Sequence, residues 1–387
     1  MSVPSLKHIA ILGSTGSIGK QTLDLARRLP DRLRVTAITA GSNARLIAEQ
    51  AMEFGVNAVG LVDKVHAHEL DDILPHNVER CYGAAGLETI ALRPDVDILV
   101  VAVAGAIGTR ATVAALLAGK TVALATKEIL VAAGEVVMQA AKTGGGTLLP
   151  IDSEHSGVFQ CLQGQSRNDV KKIWLTASGG PFRTWSMERI VTATVEDALN
   201  HPTWRMGRKI TVDSATMMNK GLETIEARWL FDVSIDQVAV VVHPQSTVHA
   251  LVQYNDGSVL AQLGTADMRL PIEYALLYPE RIDADLPQLD VLKLGTLDFE
   301  VPDENRFPCL RLAREAARTG GTAPSVLNAA NEAAVMHFLA QRLSFLGIAN
   351  MVEQALENYT AVENPTLEEI LTADEWARHF VSEAVSA

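Results

Sequence analysis

The chain has 387 residues, 48% hydrophobic and 20% charged, which is ordinary for a folded globular protein and too long for one core, so two or three domains are expected. A net charge of −13 argues against nucleic acid as a partner, because a phosphate backbone needs a basic stripe; a small anion needs only a few local cations. Three scattered cysteines, Cys81, Cys161 and Cys309, fit neither a disulfide framework nor a thiolate zinc site, and no apolar run approaches the ~20 residues of a membrane span.

The first strand is expected at residues 8–12, HIAIL, which leaves no room for a signal or transit peptide and predicts a cytoplasmic protein. GSTGSIG (13–19) and a helix, KQTLDLARRL, follow, then strands at 34–41, 96–103 and 121–125, with helical patterns between them. Short apolar strands alternating with amphipathic helices predict a doubly wound α/β domain over 1–150. GTLLPID (146–152) and KIWLTAS (172–178) read as strands at the start of a different central region. Residues 179–208, rich in Gly, Pro, Arg and Trp, predict a long loop with one short helix, and a loop of that length is usually either functional or disordered. A helix at about 214–231, a strand at 237–244 and a hairpin at 248–264 turning on Asn255-Asp256-Gly257 make the centre α+β with a partly antiparallel sheet. An exposed edge of that sheet could pair across a dimer. The domains expected are 1–150, 151–282, a Pro/Asp-rich linker at 283–303, and a helical bundle at 304–387 in which Pro324 suits a first helical position.

A strand, glycines two residues apart and then a helix make a phosphate cradle: the backbone can approach a pyrophosphate, and the helix start supplies free N–H groups. The spacing here is G-x-x-G-x-x-G, which also suits a bare strand–helix turn. An NAD site usually has an acid at the end of the second strand. This strand ends Thr39-Ala40-Gly41-Ser42-Asn43, without one, and Ser42, Asn43 and nearby Arg45 suit a 2′-phosphate, favouring NADP.

Asp152 and Glu154 close the strand LLPID, with Ser153 between them as a candidate cap. Two carboxylates so spaced can share a hard cation that keeps positions open for substrate oxygens; they equally suit an acidic helix start. On the helix that follows the long loop, Met218, Leu222, Ile225 and Trp229 form an apolar stripe, while Asn219, Lys220 and Glu223 share another face. Taken alone, that face reads as a solvated salt-bridged surface. His155, His243 and His249 could be ligands or bases, although most histidines are neither.

GSTGSIG at 13–19, ATKE at 125–128, PIDSEHS at 150–156, TASGGPFR at 176–183, HPTWRMGRKITVDSATMMNKGLE at 201–223 and HPQSTVHALV at 243–252 together resemble the 1-deoxy-D-xylulose 5-phosphate reductoisomerase family, in order and spacing over nearly the whole chain. The resemblance implies an NADPH- and metal-dependent enzyme with an N-terminal Rossmann-like domain, a central catalytic domain with a lid at about 178–208 and a C-terminal helical domain. Thr15, Gly16, Ser17 and Ile18 would hold the NADPH phosphates, Gly41, Ser42 and Asn43 the adenosine ribose-phosphate, and Thr126, Glu128 and Gly207 would also contact the cofactor. Asp152, Glu154 and Glu223 would bind Mg²⁺ or Mn²⁺, with Co²⁺ a further candidate. Lys127, Ser153 and Glu154 would meet the ketone and hydroxyl region of a small phosphorylated sugar. Ser178, Ser214, Asn219 and Lys220 would hold its phosphate beside His201, with Trp204 and Met206 lying over it. Lys127, Glu154, His201 and Trp204 would be the catalytic set, and a homodimer is expected. Thr126 stands where the family often has Asn, and Ser42 where it often has Lys or Arg; the latter could weaken the preference for NADP. Two rivals share the α/β start: a dehydrogenase of a phosphorylated aldehyde that performs no rearrangement, and a non-catalytic NADP sensor.

Overall fold

The computed structural model describes residues 5–386; the expectation that no leader precedes the first strand falls partly on residues outside that range. The chain opens with β1 (Lys7–Leu12), α1 (Ser17–Arg28), β2 (Leu33–Ala40), α2 (Ala44–Phe54), β3 (Ala58–Leu61), α3 (Ala67–Ile73) and β4 (Glu79–Tyr82). It continues with α4 (Gly83–Ala91), β5 (Ile98–Val101), α5 (Thr109–Leu117), β6 (Thr121–Leu124), α6 (Lys127–Gly144), β7 (Thr147–Pro150) and α7 (Ser153–Cys161). The seven strands pair in parallel in the order β4-β3-β2-β1-β5-β6-β7. Ile9, Ala10, Ile11 and Leu12 are all fully buried, as expected of a continuous apolar run covered on both sheet faces. The order reverses at β1, so the ends of β1 and β5 flank the switch point where such sheets bind ligands. GTLLPID, expected in the central region, supplies β7, the last strand of this sheet, because Thr121–Leu124 pairs residue by residue with Thr147–Pro150.

The second half contains β8 (Val170–Ala177), α8 (Met187–Ile190), α9 (Val195–Leu199), α10 (Arg208–Ala215), α11 (Met218–Phe231), β9 (Val238–Val242), β10 (Val248–Tyr254) and β11 (Val259–Leu263). Its sheet has the order β11-β10-β8-β9, antiparallel except for β8 with β9. The single helix expected at about 214–231 is two: Met217 takes a left-handed φ of 63°, and the Thr216 hydroxyl accepts the Met218 N–H at 3.3 Å, ending one helix and starting the next. The long loop contains two short helices rather than one, the second opened by a capping box between Thr194 and Asp197. Next comes α12 (Arg269–Leu277), then α13 (Cys309–Thr319), α14 (Ala323–Leu339), α15 (Phe345–Glu357) and α16 (Leu367–Ser386). Pro324 is the second residue of α14, not the first.

Two compact units result: one takes the chain to Ile129, Glu135–Ser156 and Asp267–Pro287, the other Leu130–Gly134, Gly157–Ala266 and Gln288 onward. In the first, α12 is tied to α1 by Arg269, which bonds Asp24 at 2.9 Å and Asp267 at 2.6 Å. In the second, Met218, Leu222 and Ile225 of α11 share one core with Leu310, Ala313, Val326, Phe338 and Ile348 of the C-terminal helices. A side chain at Gly221 would place its Cβ 2.5 Å from that of Ala313, so the close packing of α11 on α13 requires glycine there. Cys81, Cys161 and Cys309 are free and buried, and no helix among the described residues is long and apolar enough to cross a membrane.

Candidate active site

In the first unit the glycine turn follows β1. Gly13 has φ +94°, and a Cβ there would sit 2.4 Å from the Ala102 carbonyl oxygen, so only glycine lets the turn lie against the end of β5. Ser14 is fully buried and faces inward, donating to Gln50 Oε1 at 2.7 Å. Thr15 and Ile18 are half-buried, and Gly16 and Ser17 are exposed. Gly16 is the N-cap of α1 and has no side chain to bond the first N–H groups, so the positive helix end is presented outward, as a phosphate requires. Past β2, Gly41, Ser42 and Asn43 form an exposed loop. The Asn43 Oδ1 caps α2 through the Leu46 N–H at 3.0 Å, which leaves its NH₂ and the Ser42 hydroxyl for a ligand. Arg45, 86% exposed, is paired with Glu49.

Thr126 does not offer its hydroxyl outward: it is buried and donates to the Val103 carbonyl at 2.7 Å. Lys127, at the start of α6, is buried and bonds Asp152 Oδ2 at 2.5 Å. Glu128 is half-buried in the same first turn. Ser153, expected as a cap, is the first residue of α7. Its hydroxyl donates to the Glu154 carboxylate. The carboxylate of Asp152 thus meets a buried ammonium at this strand end.

In the second unit His201 joins two distant segments. Its Nε2 lies 2.9 Å from Ser178 Oγ, one residue past β8, and 3.2 Å from Ser214 Oγ near the end of α10. Ser178 Oγ also accepts the Gly180 N–H at 3.2 Å. His201 Nδ1 accepts the Trp204 N–H at 2.9 Å and the Thr203 N–H at 3.2 Å. Burial lowers the His201 pKa to about 4, so the ring is neutral near pH 7. Trp204 and Met206 are half-buried, and Gly207 is the N-cap of α10.

On α11, Lys220 is 4% and Glu223 1% exposed, and they form an ion pair, with the Asn219 amide donating to Glu223 at 2.6 Å. The solvated face that these three residues suggest alone is therefore wrong: a buried charge is costly to keep unless a role or a partner holds it there. His249 is one of the three histidines that the sequence leaves open as ligands or bases. Its ring centroid is 6.2 Å from that of Trp204, and burial lowers its pKa to about 4, the Lys220 charge adding to the effect. His243 stacks on Phe299 and bonds the Asp298 carbonyl, a packing arrangement. The Ser178–His201–Ser214 cluster had no periodic signal, since its members lie 23 and 13 residues apart.

A parallel sheet with a glycine turn at its switch point in one unit, and a hydroxyl–imidazole cluster with a buried Lys–Glu pair in the other, define an enzyme of the oxidoreductase class. Family models agree along the chain: 1-deoxy-D-xylulose 5-phosphate reductoisomerase over residues 9–134, the C-terminal domain of that enzyme over 148–231, and the DXP reductoisomerase C-terminal domain over 263–380. The chain is 52% identical to the 1-deoxy-D-xylulose 5-phosphate reductoisomerase of Pelotomaculum thermopropionicum, covering 97% of each. It is 51% identical to that of Heliobacterium modesticaldum, covering 98% of each. Among solved structures, a DOX-P reductoisomerase in complex with NADPH, fosmidomycin and magnesium is 44% identical, with a TM-score of 0.94 over 98% of both chains. The Zymomonas mobilis enzyme in complex with NADPH is 43% identical, with a TM-score of 0.92 over 99% of this chain and 100% of that one. The chain belongs to the 1-deoxy-D-xylulose 5-phosphate reductoisomerase family.

Proposed function

We propose that the chain converts 1-deoxy-D-xylulose 5-phosphate to 2-C-methyl-D-erythritol 4-phosphate with NADPH and a divalent cation, in the cytoplasm, as a step of isoprenoid precursor biosynthesis. The observation that carries this reading is the buried Lys220–Glu223 pair on α11, within a stretch that matches the family over 148–231. It keeps a charge where a simple dehydrogenase of a phosphorylated aldehyde needs none.

The residues fit both groups the reaction requires. For NADPH, the Gly13 turn and the uncapped start of α1, through Gly16, Ser17 and Ile18 with Thr15, suit a pyrophosphate. Ser42 and Asn43 suit the ribose-phosphate; Thr126, with its hydroxyl committed to Val103, would contribute backbone alone. Glu128 and Gly207 are assigned the remaining cofactor contacts. For Mg²⁺ or Mn²⁺, the donors are carboxylates of Asp152, Glu154 and Glu223, two of which already carry an ammonium partner; hard oxygen donors suit such a cation. When bound, the cation supplies Lewis acidity to the carbonyl and neighbouring hydroxyl of the substrate.

Lys127 adds fixed positive charge beside the oxygens on which negative charge develops during carbon–carbon cleavage and re-addition. Glu154, whose carboxylate accepts the Ser153 hydroxyl, is the candidate to hold or move a proton of the substrate hydroxyls. Ser178, Ser214, Asn219 and Lys220 bind the phosphate, which is remote from the reacting carbons, so its binding energy can serve to seat Trp204 and Met206 over the substrate. That cover keeps water from the aldehyde intermediate before hydride reaches it. We assign a homodimer on the ground that β11 is an exposed sheet edge bearing Val259, Leu260 and Leu263.

The test is NADPH oxidation with 1-deoxy-D-xylulose 5-phosphate, with Mg²⁺, with Mn²⁺ and with EDTA. Metal-dependent oxidation is expected. Metal-independent turnover of a phosphorylated aldehyde would favour the simpler dehydrogenase, and NADPH binding without turnover of either substrate would favour the sensor.

A further inference from the structure

We propose that His201 is a tautomer-locked positioning residue, whose Nε2–H aims the Ser178 and Ser214 hydroxyl protons at the bound anion while its Nδ1 seats Trp204. The proposal rests on the reading that these serines take the substrate phosphate. Two backbone N–H groups, of Thr203 and Trp204, point at Nδ1 from 3.2 and 2.9 Å. An atom that receives two donors cannot itself carry a proton, so the neutral ring holds its proton on Nε2.

That assignment fixes the direction of every bond in the cluster. Nε2–H donates to a serine oxygen, Ser178 at 2.9 Å or Ser214 at 3.2 Å. Ser178 Oγ also accepts the Gly180 N–H. Neither serine then needs to spend its own proton on the histidine, and both hydroxyls can donate to phosphate oxygens. The opposite tautomer would draw a serine proton onto Nε2 and turn a donor away from the anion. Burial, which holds the ring pKa at about 4, keeps it in the neutral form in which these two roles coexist.

On its other side, the ring serves as a cap. Nδ1 accepts from residues two and three positions ahead, as the Asn or Asp side chain does in an Asx turn. The bonds span Pro202 and set the path of the chain into Trp204, whose ring lies 6.2 Å from that of His249. Occupancy of the serine pocket and the placement of the aromatic cover are thus joined through one imidazole.

The two halves can be separated by substitution. His201→Asn keeps an acceptor near the Nδ1 position but is too short to reach the serines. His201→Gln places an amide near the Nε2 position but has no acceptor for the turn. Each is combined with Trp204→Ala, and KM for 1-deoxy-D-xylulose 5-phosphate, kcat and competitive inhibition by inorganic phosphate are measured. We expect His201→Asn to weaken phosphate inhibition about tenfold and to add to the Trp204→Ala effect on KM, and His201→Gln to keep phosphate inhibition within about threefold while failing to add. Equal behaviour of the two variants would overturn the proposal. Independently, ¹⁵N NMR of the histidine-labelled wild-type protein, with His201 assigned by its loss in either variant, should show a proton on Nε2 and none on Nδ1. An Nδ1–H tautomer would overturn it whether or not a variant folds. Because the tautomer is read without turnover, failure of the proposal is distinguishable from failure of the proposed activity.

Discussion

Three single residues set testable quantities. Glu223 is buried against Lys220 and Asn219, so Glu223→Gln removes a proposed metal ligand with almost no change in shape. Turnover should fall about a hundredfold or more, with the metal requirement moved to higher concentration. The substitution also strands the Lys220 ammonium, so a lower Tm is expected. NADPH affinity, in which Glu223 is assigned no part, should not move, and wild-type turnover would remove Glu223 from the metal site. Ser42 is exposed and uncharged after β2; Ser42→Arg should raise the kcat/KM ratio of NADPH over NADH about tenfold, through a guanidinium on the 2′-phosphate. An unchanged ratio would place the ribose-phosphate elsewhere. His249, like His201, is held neutral with a pKa near 4, below the ~6.5 of an unfolded histidine. Between those values the unfolded chain binds protons that the folded chain refuses, so this contribution is level above about pH 6.5 and stability is lost as pH falls toward 4. Unfolding midpoints in urea from pH 8 to 5 should fall less steeply for His249→Asn than for the wild type; parallel slopes would show that His249 titrates normally.

At the scale of elements, the decisive piece is the loop between β8 and α10, with its two short helices α8 and α9. Trp204 stands near its end, half-buried and held by its backbone to His201. Trp204→Ala should raise KM for the substrate about tenfold while changing Tm little, since the half-buried ring is not part of the core that α11 shares with the C-terminal helices; unchanged kinetics would take the residue off the substrate. Legibility in the sequence follows a physical division here. The glycine turn, the α11 stripe and the β10–β11 hairpin are local, and periodicity or turn chemistry announces each. The strands β3 and β4, four residues each, are too short to show a period and exist because β2 offers β3 a parallel edge and β3 in turn offers one to β4. The break at Met217 depends on hydrogen bonds of Thr216, not on a helix-breaking residue. The His201 cluster and the inward turn of the Thr126 hydroxyl depend on tertiary neighbours, which no window of sequence contains. The charged face of α11 misled for the same reason: i,i+3 and i,i+4 spacing says that Lys220 and Asn219 can reach Glu223, but not whether water reaches them too.

For the molecule as a whole, the question is what covers the edges of the four-stranded sheet. At β9 the chain covers its own edge: Val242 and Glu300 exchange both backbone hydrogen bonds, at 2.9 and 2.8 Å. At β11 no described strand follows, and Val259, Leu260 and Leu263 are 48%, 42% and 36% exposed. A strand edge that bears apolar side chains without a charged or proline guard tends to pair with another strand. A second copy related by a two-fold axis would supply an antiparallel β11 and continue the sheet, closing both edges at once. Leu260→Lys places a charge in the middle of that strand, where two-fold pairing brings it near its own copy. Sedimentation equilibrium at micromolar concentration should give twice the chain mass for the wild type and the single-chain mass for Leu260→Lys, with the far-UV circular dichroism unchanged. A wild-type monomer would leave the edge without this partner, whereas a Leu260→Lys protein that stays dimeric would move the interface to another surface. Since residues 157–266 carry both this edge and the His201 cluster, a monomeric variant that folds but loses substrate affinity would show that pairing at β11 also steadies β8, whose end delivers Ser178 to the pocket.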